Sequence, residues 1–298
     1  MKRLSIIIVT YNSENDIFDC LDSVWKNNDL AADELEVIVV DNSSDSTSLF
    51  AAIRERYGEQ VKLIHNTHNG GYGQGNNVGI REASAPVVAV MNPDVRLFEP
   101  IFKSAVRSFD TDPELVMLGL KQMHSPTKTS SKSFCGTFMM NGYAQVLLTG
   151  LCNRFDWYLS RWMYIQGSFF FVHRQKFMEI GMFDETNFMY GEEDDIHCRL
   201  GRRFGYGNIR YNSSLHYIHP LHVAKDRSLD YEKTKILAAV KLNEKNGYSR
   251  RDTILNRLRN IRFLIFMQRV KGLLGKSDPS RMEVMLQLRN YLQEFERS

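Results

Sequence analysis

The chain has 298 residues, 43% of them hydrophobic, enough for one large core or a core with an appendage. A formal net charge of +3, with both signs spread along the chain, argues against a dedicated nucleic-acid binder. Cys20, Cys135, Cys152 and Cys198 stand far apart with no C-x-x-C spacing, so neither a zinc ribbon nor a disulfide framework is indicated, and a reducing cytoplasm fits best.

Met1-Lys2-Arg3 runs directly into a strand-like apolar run at 4–9, which is too short for the apolar region of a signal peptide. No apolar run approaches the roughly 18 to 20 residues that cross a bilayer, so the expectation is a soluble or peripheral protein. Short β-branched runs at 4–9, 35–40, 61–64 and 87–91 alternate with helical patterns at 15–28, 46–57 and 76–83. Such alternation predicts βαβ units and a mostly parallel sheet flanked by helices. Ser13 and the Asn42-Ser43-Ser44-Asp45 cluster offer N-cap oxygens, and Gly58 stands where a helix would end. Residues 125–133 read as a polar, mobile loop. A strand at 167–173, helices at 174–180 and 192–204, and a helical pattern from Tyr231 onward complete the chain. The expected division is a catalytic domain over 1–228 and a helical extension over 229–298.

In an open α/β sheet, ligands bind beyond the carboxyl ends of the strands. Thr10-Tyr11-Asn12, Asp41-Asn42-Ser43, Asn69-Gly70-Gly71 and Asn92-Pro93-Asp94 each follow a strand or its loop and should converge on one crevice. Asp41 can accept from a nucleobase N–H or a ribose hydroxyl, or simply cap the next helix. Asp94 can hold a hard divalent cation such as Mg²⁺ or Mn²⁺, which would neutralise a departing diphosphate, or it is a solvated turn residue. Glu192, Glu193, Asp194 and Asp195 open a helix whose dipole favours ionised carboxylates, which suits a resting general base. His216, His219 and His222 are spaced by three, and Pro220 between them rules out a shared helical face, although one of them can complete a metal shell. The glycine segment 70–75 fails both the dinucleotide and the P-loop patterns; it offers backbone amides and the side chains of Asn76 and Asn77 to phosphate or sugar hydroxyls.

The order and wording of these segments resemble the family 2 glycosyltransferases, especially rhamnosyltransferase-like members of capsule and lipopolysaccharide gene sets. Ser5-Ile6-Ile7-Ile8-Val9-Thr10-Tyr11-Asn12 is similar to the family's opening strand, and Val37-Ile38-Val39-Val40-Asp41-Asn42-Ser43-Ser44 to its second. Asn69-Gly70-Gly71-Tyr72-Gly73 through Asn76-Asn77-Val78-Gly79 resembles its Gly/Asn segment, and Met91-Asn92-Pro93-Asp94 its D-x-D position. Gly181-Met182-Phe183-Asp184-Glu185, Glu192-Glu193-Asp194-Asp195 and Arg199 resemble its G-x-F-D-E and E-D-x-D-x-x-x-R segments. Two departures stand out: Asn92 replaces a first Asp, and the base position holds Glu instead of the commoner Asp.

The resemblance implies a GT-A fold and an inverting, metal-dependent hexosyl- or deoxyhexosyltransferase of surface polysaccharide biosynthesis. The donor would be a nucleotide diphosphate sugar and the acceptor a glycan or lipid-linked glycan. Donor contacts fall to Thr10, Tyr11, Asn12, Asp41, Asn69, Gly71, Asn76 and Asn92. Mn²⁺ or Mg²⁺ falls to Asp94 and His219, with His222 as the alternative. Glu193 is the base, with Asp195 as its rival and Glu192 beside the acceptor or the base. The Q-x-x-R-W signature of processive synthases is absent, which favours addition of single sugars. Phe155, Trp157, Tyr158, Trp162 and Tyr164 offer stacking faces to an acceptor sugar, or pack together.

Residues 250–276 carry eight Lys/Arg against one Asp, with Ile254, Leu258, Ile261 and Ile265 at helical spacing. A membrane surface, the catalytic domain and a second subunit are all open as partners of that helix. A nucleotidyltransferase is the rival enzyme, although residues 10–16 contain no Lys or Arg to grip a triphosphate. A non-catalytic sugar-nucleotide-binding relative is the rival from another class.

Overall fold

The computed structural model describes residues 1–298 apart from 131, 139, 221–227, 277 and 298. In chain order the first strands and helices are β1 (Leu4–Thr10), α1 (Glu14–Lys26), β2 (Leu35–Asp41), α2 (Thr47–Tyr57), β3 (Val61–His65), α3 (Gly71–Glu82), β4 (Val87–Met91) and α4 (Phe102–Thr111). There follow β5 (Met117–Ser125), β6 (Lys128–Thr129), β7 (Phe134–Gly136), α5 (Gly142–Phe155), β8 (Met163–Ile165), β9 (Phe169–His173), α6 (Arg174–Glu179), α7 (Glu192–Phe204) and β10 (Ile209–Ile218). Helices α8 (Leu229–Lys245), α9 (Arg250–Leu273) and α10 (Pro279–Arg297) end the chain. Contacts group these elements into two compact units, one made of Met1–Ser133 with Ile165–Pro220, the other of Phe134–Tyr164 with Leu221–Ser298. The sequence expectation divided the chain at 228/229; the contacts give 134–164 to the second unit.

The first unit is an α/β domain around one mostly parallel sheet of order β10-β5-β9-β4-β1-β2-β3, with β6 on the side of β5. Strand β1 runs parallel to β2 and β4, β2 to β3, and β10 to β5; β9 is antiparallel to both its neighbours. All five residues of β4 and all but Val9 of β1 are buried, which is why these strands read as unbroken apolar runs. The chain winds outward from β1 to β3 and then returns to β4 on the other side of β1. That reversal is a topological switch point, and the carboxyl ends of β1, β2 and β4 carry Thr10, Asp41 and Asn92 to it.

Three local expectations change. Helix α3 starts at Gly71, not near residue 76, so the glycines form part of the helix and not a loop before it. They let it lie very close to its neighbours: a Cβ on Gly79 would stand 2.4 Å from Ile7 Cγ2, and one on Gly75 would stand 2.8 Å from Val9 Cγ1. Ser13 occupies the N-cap of α1 without capping through its side chain, whereas at α2 the expected cap oxygen comes from Asp45, whose Oδ1 accepts from the Thr47 amide at 2.9 Å. The Ser13 hydroxyl donates to the Tyr11 carbonyl, and that of Ser46 to Asp41. Finally, the segment expected as a mobile loop contains β6, which pairs antiparallel with β5. Gly58, at φ +59°, does end α2 as expected.

In the second unit β7 pairs with β8, and α8, α9 and α10 enclose a small core. Ile254, Leu258, Ile261 and Ile265, the stripe with several possible partners, are buried in that core beside Ile236 and Leu292. Among the described residues no helix is long and apolar enough to cross a membrane.

Gly79→Ala should destabilise the protein by about 1–3 kcal/mol, the usual cost of forcing a group into a filled space, read as a lower urea midpoint with an unchanged slope.

Candidate active site

The described candidates for donor, metal and base lie in the first unit, whereas the aromatic candidates Phe155, Trp157, Tyr158, Trp162 and Tyr164 lie in the second. At the switch point the Asp41 carboxylate is fully buried and accepts three hydroxyls: Thr10 at 2.8 Å and Ser43 at 2.9 Å on Oδ1, and Ser46 at 2.6 Å on Oδ2. Thr10 and Asp41 face each other in the β1–β2 register, so the parallel pairing itself sets this contact. A buried carboxylate is tolerable only with such donors around it. The Asn12 amide donates to the Ser43 hydroxyl at 3.0 Å, which ties the turn after β1 to the turn after β2. Asn12 has φ +50°, and Tyr11 stands 57% exposed at the mouth. Asn42 donates to the Gly71 carbonyl at 3.2 Å and to Asn69 at 3.4 Å, joining the third strand-end segment to the other two. The convergence expected from the strand ends is therefore present for residues 10–12, 41–43 and 69–71.

The fourth segment, Asn92-Pro93-Asp94, is held by its backbone. The Asn92 amide donates to the Ser168 carbonyl at 2.9 Å, and the Arg96 guanidinium donates to the Pro93 carbonyl at 3.0 Å. Arg96 and Ile218 exchange two backbone hydrogen bonds of 2.8 Å, which brings the end of β10 alongside. As a result His219 Nε2 lies 3.1 Å from Asp94 Oδ2. Both side chains are largely buried, so Asp94 is not a solvated turn residue. On the far side of the imidazole, Gln122 Nε2 lies 3.5 Å from His219 Nδ1, and Tyr217 donates to Gln122 Oε1 at 3.3 Å. His216 is committed elsewhere, with Nδ1 2.7 Å from Glu99. His222 lies outside the described residues.

Among the described residues no group of three His, Cys, Asp or Glu stands ready to hold a metal. One carboxylate oxygen beside one imidazole nitrogen nevertheless fits Mn²⁺ or Mg²⁺. Such ions commonly take only one or two protein ligands and fill the remaining positions with substrate phosphate and water.

The acidic segment starts helix α7 after two consecutive left-handed residues, Tyr190 at φ +76° and Gly191 at φ +90°. Its carboxylates have separate environments. Asp195 is 4% exposed and is gripped by Arg199 at 2.5 Å and 3.0 Å, while Arg199 also donates to the Ile180 carbonyl at 2.7 Å. Glu192 is 5% exposed, and one of its oxygens is buried with no hydrogen-bond partner among the described residues. Burial first, and then the neighbouring Glu193 charge, push its carboxyl up to about 8. The expectation that the helix dipole keeps these acids ionised thus fails for Glu192, because desolvation outweighs the dipole. Glu193 packs on the backbone of Gly167, where a Cβ would meet its Oε1 at 2.6 Å.

Tyr72, from the first turn of α3, joins the halves of the site. Its hydroxyl donates to the Gly167 carbonyl at 2.6 Å. Burial and the nearby charges of Glu193, Glu192 and Asp94 hold that phenol well above its ordinary pKa. Asn76, one turn on, donates to the Tyr72 carbonyl at 2.9 Å and keeps its own buried Oδ1 without a partner among the described residues.

A family model for glycosyl transferase family 2 matches residues 5–181. This chain belongs to glycosyl transferase family 2. It is 30% identical over 215 residues to the low-salt glycan biosynthesis hexosyltransferase Agl10 of Haloferax volcanii, covering 68% of this chain and 62% of Agl10. It is 32% identical over 121 residues to the poly(ribitol-phosphate) beta-N-acetylglucosaminyltransferase TarS of Staphylococcus aureus, covering 40% of this chain and 21% of TarS. The matched part thus spans less than two thirds of either relative. In fold it is similar to the mannosyltransferase PcManGT from Pyrobaculum calidifontis, solved in complex with GDP-Man and Mn²⁺. The TM-score is 0.61 at 15% identity, over 97% of this chain and 84% of that one. The fold is GT-A. The family 2 match includes Thr10, Asp41, Asn92 and Asp94 and stops short of α7 and His219.

Pattern reading of this family 2 chain passed over Tyr72, Gln122 and Tyr217. Tyr72 was legible only as part of a glycine segment, and Gln122 lies inside an apolar strand with no motif around it. Asn77, expected as a ligand contact, is instead a clamp. It donates to the Phe183 carbonyl and to Glu185, both at 2.9 Å, and accepts from the Phe183 amide at 3.0 Å.

Because Glu192 carries a raised pKa in the folded state, the native chain binds more protons than the unfolded one between the ordinary carboxyl value of 4.5 and about 8. The stabilising contribution is complete below that window and is lost as pH rises through it. Melting curves from pH 5 to pH 9 should therefore show the wild type losing Tm relative to Glu192→Gln.

Proposed function

We propose that this chain transfers a single sugar from a nucleotide diphosphate donor to a hydroxyl of a surface-glycan acceptor, with inversion at the anomeric carbon. The observation that carries the reading is the arrangement around Tyr72, with the Asp94–His219 pair and the Glu192–Glu193 pair both beside the switch point of the sheet. Agl10 and TarS, by their names, act as a hexosyltransferase of glycan biosynthesis and a poly(ribitol-phosphate) N-acetylglucosaminyltransferase, which supports a surface glycan as the class of acceptor. A nucleotide sugar donor is consistent with reaction in the cytoplasm.

Each carboxylate then has one task. Glu193 takes the proton of the acceptor hydroxyl as that oxygen bonds to the anomeric carbon, and the bond from the anomeric carbon to the diphosphate oxygen breaks on the opposite face. Asp195 is set aside as the base because its Oδ2 is engaged by the Arg199 guanidinium. Glu192, carrying its proton near neutrality, lets Glu193 stand ionised beside it without a second buried charge. Asp94 and His219 would hold Mn²⁺ or Mg²⁺, which would supply positive charge to the leaving diphosphate. With three hydroxyls on a carboxylate that offers about four acceptor positions, Asp41 mainly braces Thr10 and the turn after β1 and keeps about one position for the nucleotide. Tyr11 presents a ring for stacking on the base, and Asn12, Asn69, Gly71, Asn76 and Asn92 line the path to the diphosphate.

A panel of nucleotide sugars, with and without Mn²⁺ or Mg²⁺ and with mixed glycan acceptors, tests this through the nucleoside diphosphate released. One donor should give metal-dependent release that Asp94→Ala abolishes. Glu193→Gln should lower kcat by about 10² to 10⁴ with donor affinity retained. Release that is metal-independent and survives both substitutions would overturn the assignment, as would nucleotide binding without release from any donor.

A further inference from the structure

Helix α5 is built inside out. Apart from Cys152, its inward side chains are polar and hydrogen-bonded: Gln145 donates to the Gly136 carbonyl at 2.6 Å and accepts from Asn260 at 2.9 Å, Thr149 accepts from the Gly136 amide at 3.2 Å, and Asn153 donates to the Phe134 carbonyl at 2.8 Å. Its outward stripe, spaced by four, is Tyr143, Leu147, Leu151 and Phe155, exposed by 41%, 56%, 47% and 49%. A helix of a free-standing globular surface has the opposite polarity. The stripe continues onto α9, since the Tyr143 ring meets Phe263 edge-on at 6.3 Å and Phe263 meets Phe266 at 6.1 Å. Along the last turns of α9, Phe266, Val270 and Leu273 are exposed. Interleaved with them are Arg262, Arg269, Lys271 and Lys276, all exposed and none in an ion pair among the described residues. No acidic residue occurs between Asp252 and Asp278.

We propose that these two helix faces of the second unit dock on an anionic lipid surface. Apolar and aromatic side chains ringed by unpaired cations match the chemistry of an acyl layer beneath negative headgroups. A second copy of the chain is the poorer occupant, because a two-fold contact through this patch would set its cations against their own copies. The attachment is peripheral, as the helices lie on the surface and none of those described crosses it. Docking is independent of the transfer reaction, and its test uses no donor or acceptor.

The full chain is sedimented with vesicles of phosphatidylcholine alone and of phosphatidylcholine mixed with phosphatidylglycerol, at low and high salt. The expected result is binding to the mixed vesicles only, weakening as salt rises. The double substitutions L147S/L151S and R269E/K271E should each reduce it about tenfold or more. Because these side chains are exposed, both variants should keep the wild-type Tm; the salt dependence of the wild type stands as a test without them. Binding to neither vesicle, or equal binding to both, overturns the proposal. So does a dimer in solution that L147S/L151S converts to monomer.

Discussion

The close approach of α3 to its surroundings is the constraint on which the rest of the site depends. Glycines at 75 and 79 let the helix rest on Ile7 and Val9, and glycines at 71 and 73 let the chain near Phe188 and Phe183 come down on its first turn. A Cβ at Gly71 would stand 1.8 Å from the Phe188 carbonyl oxygen, and the residue sits at φ +89°, where only glycine is unstrained. From that position α3 sends the Gly71 carbonyl toward Asn42 in the turn after β2, Tyr72 toward the acids and Asn77 into the loop before α7. A helix with ordinary side chains on that face would stand farther out, and the two ends of the site would separate.

Burying several carboxylates in one cleft requires a different solution for each. Asp41 is satisfied by hydroxyls and Asp195 by a guanidinium, and burial pushes the carboxyl of Glu192 up. Asp94 leans on an imidazole that Gln122 and Tyr217 orient from behind. The acids are told apart by their neighbours, since Glu192, Glu193, Asp194 and Asp195 look alike as residue types.

The second unit follows another logic. Its three-helix core absorbs the apolar stripe of α9 that had several conceivable partners, while the polar interior of α5 turns that helix's apolar side outward. Residue composition shows neither: α5 reads as an ordinary mixed segment until it is known which side chains meet β7 and α9.

The sequence by itself determined the alternation of strands and helices through β4, the strand-end positions of Thr10, Asp41 and Asn92, and the helix opened by Glu192. Those features follow from local periodicity and from turn chemistry that is written in neighbouring residues. Its motifs also sufficed for the family. Only the tertiary structure decided that the glycines belong to a helix packed on β1 and β2, that His216 meets Glu99, and that Asn77 serves the fold. It alone also showed that burial sets Glu192 apart within its acidic run and that 134–164 groups with the C-terminal helices. Each of these depends on contacts between residues tens to more than a hundred positions apart, or on how much water a side chain keeps. Neither quantity is carried by local pattern.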